Sequence, residues 1–403
     1  MCKLLCCCCS QKDEDLNVTD FQSVVDSSSR LLIFVNPKSG SGRGARIFKD
    51  KILPILQQNS IGFELIQTNA PGHAGHIVSE RNDLDNFNAI VIVSGDGLCF
   101  EVINSVVLRS DASKLLKQLP LAIVPCGSGN GLLSSVFAYR QKPIDEKQFL
   151  NTAVETLAHP EAISLPVNLV KVQTNSGLTL ASFLSIGFGL MSDIDIESES
   201  LRTICGGNRF YFGALWRVAN LRKYKARLSF VEAPADLKPS NIDPVPVFRE
   251  KALNGQEKAG IPSDINWPDN TCVNVPDLNE PIPSNWTTID DEFLLIYAVS
   301  ISHISNVNIY APNSRLNEEQ IHLTYILKKD VKSRTELAKF LSAIESQNHL
   351  NLPFCKYVKV QSFRLEPDEQ QCRRSPIVID GEVIPETAIQ ATATNECIRV
   401  VSK

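Results

Sequence analysis

The chain has 403 residues, enough for two domains with separate cores. It is 43% hydrophobic and 21% charged with a formal net charge of −5. It therefore reads as a globular protein without the clustered basic face of a nucleic-acid binder, although a small anionic ligand would need only a local site. No apolar run reaches the roughly 20 residues that cross a bilayer. The best stretch, "FLLIYAVSISHIS" from Phe293, is short and ends in polar residues, as a buried strand does.

Five of the twelve cysteines fall in the first nine residues: Cys2, Cys6, Cys7, Cys8 and Cys9. Adjacent cysteines lack the spacing that wraps a loop around a tetrahedral metal ion, and no metal site is expected. The remaining cysteines are scattered singly, which is not a disulfide framework. Leu4-Leu5 is too short for the apolar segment of a secretory signal, so a reducing, cytosolic compartment is expected. Two readings of the tract remain: a plain terminus, or S-acylation, with Lys3 and Lys12 nearby to favour an anionic leaflet. The second is preferred, and it implies peripheral attachment to a membrane. Residue 2 is not glycine, which excludes N-myristoylation. Polar residues up to 30 form a linker, so 1–30 is read as a tail.

Order is expected to begin with the strand "LLIFVNP". A glycine-rich turn follows, feeding an amphipathic helix with Ile47, Ile52, Ile55 and Leu56 at helical spacing. "FELIQT", "NAIVIVSG" and "LPLAIVPCG" are further strands, separated by the helices "HAGHIVSERN" and "LCFEVINSVVLR". Near-continuously apolar strands alternating with helices predict an α/β, doubly wound parallel-sheet domain over 31–162. From 163 to 403 the segments turn period-two ("VNLVKVQT", "RLSFVE", "HLTYIL", "VKVQSFRLEP"), which predicts a larger antiparallel β-rich domain. The last strand is free to return to the first domain. A stretch at about 233–285, rich in Pro, Asn and Asp, reads as a poorly ordered insertion, with only "EPIPSNWTTI" expected to dock.

Three glycine-bearing loops close successive strands: "NPKSGSGRG" (36–44), "SGDG" (94–97) and "PCGSGNG" (125–131). The carboxyl edge of an open parallel sheet is where ligands bind. Glycines there let backbone N–H groups approach phosphate oxygens, and Lys38 and Arg43 add counter-charge. The first loop is neither a Walker A motif nor a dinucleotide fingerprint. Asp96-Gly97 alone would fit a hairpin turn. Beside two phosphate-type loops, Asp96 is instead a candidate to accept a proton from an attacking hydroxyl. Glu101, one turn on, is expected to face the same edge.

"VNPKSGSGRG", "VSGDGLCFEVINS" and "PCGSGNGL", in this order, resemble the catalytic domain shared by diacylglycerol, ceramide and sphingosine kinases. In the second half, "LSIGFGLMSDIDIESESLR", "NRFYFGALWRVANLRKYKARLSF", "FRLEP" and "IDGEVIPETAIQ" are similar to sphingosine kinases in particular. The chain departs from diacylglycerol kinases at Gly131, where those usually carry an aspartate. At Phe100 it departs from the histidine that sphingosine kinases tend to have.

The resemblance implies a kinase that uses ATP and Mg²⁺ to phosphorylate the primary hydroxyl of sphingosine and related sphingoid bases, giving sphingosine 1-phosphate, at a membrane surface. It implies Asp96 as general base, within an acceptor loop of Ser94, Gly95, Asp96 and Gly97. Asn36, Pro37, Lys38, Thr68, Asn69, Ala70, Pro71 and Gly72 would line the nucleotide, with His73 nearby. Glu101, Gly127, Ser128 and Gly129 would hold ATP and its metal ion, Arg202 and Arg209 would reach its phosphates, and Asp380, Gly381 and Glu382 would close the site. Asp195 would take the amino-alcohol head. The neighbouring Asp193, Glu197 and Glu199 also read as a solvated acidic strand end or turn. Phe210, Phe212, Leu215, Trp216 and Val218 would either line an apolar cleft for the lipid tail or belong to an ordinary core helix. Burying around ten methylenes at about 0.8 kcal/mol each would give roughly 8 kcal/mol, enough to draw the lipid from a membrane. Diacylglycerol or ceramide as acceptor, and a catalytically silent, membrane-anchored lipid-binding protein, are the alternatives. Oligomeric state is not legible.

Overall fold

The computed structural model describes residues 29–40, 42–127, 129–201, 209–235, 237, 242–248, 275–368, 370 and 374–403. The cysteine tract, Ser128 and Arg202 lie outside the described residues.

The first unit is a parallel sheet of β1 (Arg30–Val35), β2 (Gly62–Gln67), β3 (Ala89–Ser94) and β4 (Leu121–Pro125), in the order 2-1-3-4. Successive residues of each strand enter opposite cores. Leu32, Phe34, Ile90 and Ile92 join one cluster, and Leu31, Ile33, Val91 and Val93 join the other. Both faces are dry, which is why these strands read as continuous apolar runs. One face is covered by α3 (His73–Glu80), α4 (Asp96–Val107), α5 (Ala112–Gln118) and α6 (Gly131–Tyr139). The other is covered by α1 (Arg43–Ile47) and α2 (Leu53–Gln58), joined by a π-helical turn at Phe48–Ile52. The wide turn sits just before Pro54, which has no N–H to donate to the preceding turn. The helix α7 (Glu146–Thr156), capped by the Asp145 side chain on the Gln148 N–H, leads out of this unit.

The second unit is antiparallel. β5 (Ile163–Thr174), β6 (Thr179–Ser182), β7 (Ser185–Gly189), β8 (Tyr224–Glu232), β9 (Val245–Pro246), β10 (Thr287–Val299), β11 (Ile321–Leu327), β12 (Lys356–Pro367), β13 (Ile377–Ile379), β14 (Glu382–Ile384) and β15 (Ile389–Ser402) enclose an apolar core containing Phe188, Tyr224, Phe293 and Phe363. An outer layer of α8 (Leu190–Ser198), α9 (Arg209–Ala219) and α10 (Arg334–Glu345) packs over β10 and β11 through Leu190, Ile194, Leu337 and Phe340. β15 pairs with β5 along most of its length and meets β4 in parallel at Val400–Leu121, so the two units share one continuous sheet. Among the described residues, no helix is long and apolar enough to cross a membrane.

Three expectations need correcting. The acidic run at 193–199 is helical, not a strand end: it forms α8 and the short turn after it. Within the 233–285 stretch, more than "EPIPSNWTTI" docks. Val245 and Pro246 pair with β5, and Val247 is buried in the first unit's core, its carbonyl accepting from Asn88. Arg364, itself buried, donates to the carbonyls of Asp277 and Glu280 and pins the far end of the same stretch. Finally, α9 is neither a core helix nor a closed cleft wall. Phe210 and Val218 pack inward, while Tyr211, Phe212, Leu215 and Trp216 are 63%, 48%, 52% and 60% exposed.

Candidate active site

The three glycine loops converge at the carboxyl edge of the parallel sheet. The Ser94 hydroxyl lies 3.3 Å from that of Ser39, tying the second loop to the first. Gly40 rests directly against the Cys126 carbonyl of the third. Gly95 and Gly127 meet backbone to backbone: a Cβ on Gly127 would lie 2.9 Å from the Gly95 Cα, and one on Gly95 would lie 2.7 Å from the Gly129 carbonyl oxygen. No side chain fits between them. Asn36 folds its own loop, its Oδ1 accepting from the Lys38 N–H at 3.0 Å, and Pro37 and Lys38 extend outward from that turn. Thr68 is buried, its N–H donating to the Val35 carbonyl at 2.9 Å. Exposed Asn69, Ala70, Pro71 and Gly72 then run beside the first loop into α3, with the His73 ring accepting from the Asn69 N–H.

Asp96 opens α4 and is buried. Its Oδ2 accepts from the Gly131 N–H at 2.7 Å and its Oδ1 from the Leu132 N–H at 3.3 Å, so the carboxylate caps the first turn of α6. Burial pushes its pKa up to about 6, against the pull of those two donors. Each oxygen accepts one hydrogen bond and keeps capacity for another. Glu101 reaches sideways, its Oε1 accepting from the Gly75 N–H at 2.8 Å in the first turn of α3.

The terminal "DGE" splits into two roles. Asp380 and Gly381, with φ of 52° and 89°, form the two-residue turn of the β13–β14 hairpin. The Asp380 carboxylate points inward and is buried. It accepts from the Ser182 hydroxyl (2.8 Å) and from the N–H groups of Phe183 (3.0 Å), Leu184 (3.0 Å) and Ser185 (2.8 Å). Its expected place in the nucleotide site is thus corrected: the buried side chain is a clamp on residues 182–185. Glu382 does reach the loops, its Oε1 standing 2.7 Å from where a Cβ on Gly97 would be. On the other side of the turn, Asp195 Oδ2 is 3.9 Å from the Cβ position of Gly381. One hairpin turn therefore separates the acid of α8 from the loop that carries Asp96.

Along α8 the acids divide by face. Asp193 is buried and accepts from the Tyr224 hydroxyl at 2.6 Å and from Arg222 at 2.9 Å, with Arg217 at 3.6 Å. Glu197 joins Arg217 and Arg222. Neither is a solvated acid: they fasten α8 to α9 and β8. Asp195 keeps about a third of its side chain exposed, with Arg209 3.5 Å away. Arg209 is buried among Asp195, Ser198 and Glu199 and stacks on the Phe210 ring. It is held by the acidic helix, and the expectation that it extends to the phosphates is revised accordingly.

Residues that motif reading passed over complete the site. Gly131, whose N–H binds Asp96, is overlaid by the second unit: a Cβ there would lie 2.7 Å from both the His303 carbonyl oxygen and Leu184 Cδ1. The His303 N–H donates to the Ser135 hydroxyl one turn along α6. Burial lowers the His303 pKa to about 4, so its ring is neutral there. Phe100 packs against the cores of both units. Only the departures at Gly131 and Phe100 left a mark in the sequence.

A diacylglycerol-kinase catalytic-domain model matches residues 30–165, the unit that carries all three loops. The fold is similar to that of a putative diacylglycerol kinase from Bacillus anthracis, at a TM-score of 0.59 and 16% identity over 93% of this chain and 97% of that one. Fold and domain together define a lipid kinase, an enzyme that takes its phosphoryl group from ATP. Across 392 residues the chain is 38% identical to sphingosine kinase 1 of Caenorhabditis elegans, covering 92% of this chain and 81% of that protein. To human sphingosine kinase 1 it is 32% identical, covering 92% and 90%. The chain belongs to the sphingosine kinase family.

Proposed function

We propose that this lipid kinase transfers the γ-phosphoryl group of ATP to the primary hydroxyl of sphingosine or a related sphingoid base, giving sphingosine 1-phosphate. The observation that carries the reading is the pairing of two acids across one hairpin turn: buried Asp96 at the glycine loops, and partly exposed Asp195 beside Gly381. Asp96 takes the hydroxyl proton as the lipid oxygen attacks the γ-phosphorus; the P–O bond to ADP breaks, and ADP leaves. A base with a pKa of about 6 is mostly ionised at neutral pH yet more basic than an ordinary aspartate. Asp195 binds the substrate's ammonium.

Among the described residues, no three His, Cys, Asp or Glu side chains form a metal cage. Mg²⁺ is usually held by one or two carboxylates together with substrate phosphates and water, so an ion that arrives on ATP fits this site. Glu101 and Glu382, beside the loops, would meet its water shell, and the ion would neutralise developing phosphate charge. The enzyme works at a membrane surface, with the exposed apolar side of α9 turned to the lipid. It is cytoplasmic and held there by S-acyl chains on Cys2 and Cys6 to Cys9; hydroxylamine, which cleaves thioesters, should release it from membranes.

The deciding experiment is an acceptor panel run on Asp195→Asn. Losing a charge-assisted hydrogen bond of roughly 1.5–3 kcal/mol should cut kcat/KM for the free amine about ten- to more than a hundredfold. The KM for ATP should stay nearly fixed, and the N-acylated analogue, which has no ammonium, should lose far less. Equal losses on both acceptors, or a wild type that prefers diacylglycerol or ceramide, would overturn the reading.

A further inference from the structure

We infer that Tyr297 holds the acceptor's second hydroxyl, the one a sphingoid base carries on the carbon beyond its ammonium. It thereby makes the site favour an amino-diol over a plain amino-alcohol. The inference rests on the reading of Asp195 as the partner of that ammonium.

In β10 the run from Phe293 to Val299 is buried at every position but one. The exception, Tyr297, is partly exposed and is the run's one residue with a side-chain hydroxyl. Tyr297 pairs directly with Gly187 of β7, so both face the same side of the sheet, the side that α8 and α10 cover. A Cβ on Gly187 would lie 3.0 Å from Tyr297 Cδ2, so the missing side chain lets the ring lie over β7. That Cβ would also lie 2.8 Å from Ser192 Oγ, a buried oxygen with no hydrogen-bond partner among the described residues. A buried hydroxyl left unpaired calls for a ligand or a water. Ser192 stands one turn before Asp195 on the same face of α8.

Packing gives no reason for the phenol oxygen. The Tyr297 ring meets that of Tyr310 edge-on, with centroids 4.9 Å apart, a contact that phenylalanine would make as well. Burial raises the Tyr297 pKa, and the charges of Asp195 and Asp380 raise it further, against the Ser185 hydroxyl beside it. The phenol is therefore neutral, and next to Ser185 it keeps capacity for a further hydrogen bond. The order of the strands gives the order of the contacts. Across β14, β13, β7 and β10, one passes from Glu382 at the Gly97 loop to the 380–381 turn beside Asp195, and then over Gly187 to Tyr297. The acceptor's own groups follow in the same sequence: reacting hydroxyl, ammonium, second hydroxyl.

The test measures turnover of the full chain on sphingosine and on the analogue whose second hydroxyl is replaced by hydrogen. Tyr297→Phe keeps the ring and removes one oxygen. A neutral hydrogen bond contributes roughly two- to tenfold. Because this hydroxyl does not react, its bond is the same in ground and transition states, and the KM for sphingosine should rise by that factor with kcat unchanged. The kinetics on the deoxy analogue and the KM for ATP should match the wild type, which also shows that the variant folds. The wild type should prefer sphingosine to the analogue by about the same factor. Equal changes on both acceptors, no change on either, a loss confined to kcat, or a wild type indifferent to the hydroxyl would each overturn the assignment of Tyr297. Asp195→Asn in the same panel keeps the two readings apart. If it loses as much on N-acylated sphingosine as on the free amine, the ammonium reading fails and the place of Tyr297 fails with it. If it discriminates between those two while Tyr297→Phe does not discriminate between its own pair, Tyr297 alone is ruled out.

Discussion

Two Asp-Gly pairs, 96–97 and 380–381, lie on either side of one small region and come to opposite ends. Both aspartates are buried, and burial pushes both pKa values up, to about 6 at Asp96 and about 7 at Asp380. Asp380-Gly381 is the hairpin turn that an Asp-Gly pair between strands predicts. Asp96-Gly97 starts a helix, because the strand before it is parallel and must cross over before pairing again. The count of donors decides what each acid can do. Asp380 accepts four hydrogen bonds, three of them on Oδ1, and is held as a clamp, whereas Asp96 accepts one on each oxygen. Two buried aspartates of similar basicity thus differ in what holds them, and only Asp96 lies at the glycine loops, where the proposed base belongs.

Exchanging each for asparagine should break the pair in opposite directions. Asp96→Asn removes the base, and turnover per folded molecule should fall by about 10²–10⁴ while ATP affinity changes little. Asp380→Asn keeps the turn, since Asn-Gly is equally suited to it, but turns an amide NH₂ toward a backbone donor. That should cost roughly 1–3 kcal/mol in denaturant unfolding, with turnover per folded molecule preserved. A matching loss of turnover in the second variant would put Asp380 in the chemistry after all.

The contrast also marks what the sequence could tell. Loop chemistry at 36–44, 94–97 and 125–131 was legible because glycine next to a buried strand has few other uses, and the three loops do converge. The place of Asp96 beside those loops followed from its neighbours in sequence; its role as base is the proposal. Asp380 was misplaced because a motif records which residues occur together, not which way each side chain turns. Arg209 and Asp193 were misread for a related reason. Burial of a charge depends on partners distant in sequence, such as Tyr224, 31 positions from Asp193, and no local pattern reports them. The docked pieces of the 233–285 stretch were hidden by composition: polar residues and prolines look loose, yet their backbone carbonyls satisfy Arg364, and Val247 fills a gap in the first core. The helix α9 carried its apolar residues in plain view, but periodicity cannot say which face is covered.

The smallest expected effect sharpens the comparison most, because it tests how donors tune the base without touching it. The kcat/KM for the acceptor should rise with pH through about 6 as Asp96 ionises, then level off. The N–H groups of Gly131 and Leu132 favour the ionised form and so hold that midpoint down. A methyl group at Gly131 would collide with the His303 carbonyl and Leu184, at 2.7 Å from each, and lift the first turn of α6 off its seat. Gly131→Ala should therefore weaken both donors and move the acidic limb to higher pH. A shift of about one to two units would lower the ionised fraction at pH 7 by roughly two- to tenfold. At pH 9 the base is ionised in either protein, and the variant should recover to near the wild-type rate. Recovery separates a retuned base from a damaged fold, which would lose activity at every pH. A loss that stays constant from pH 6 to 9 would mean that the cap on α6 positions Asp96 without setting its basicity.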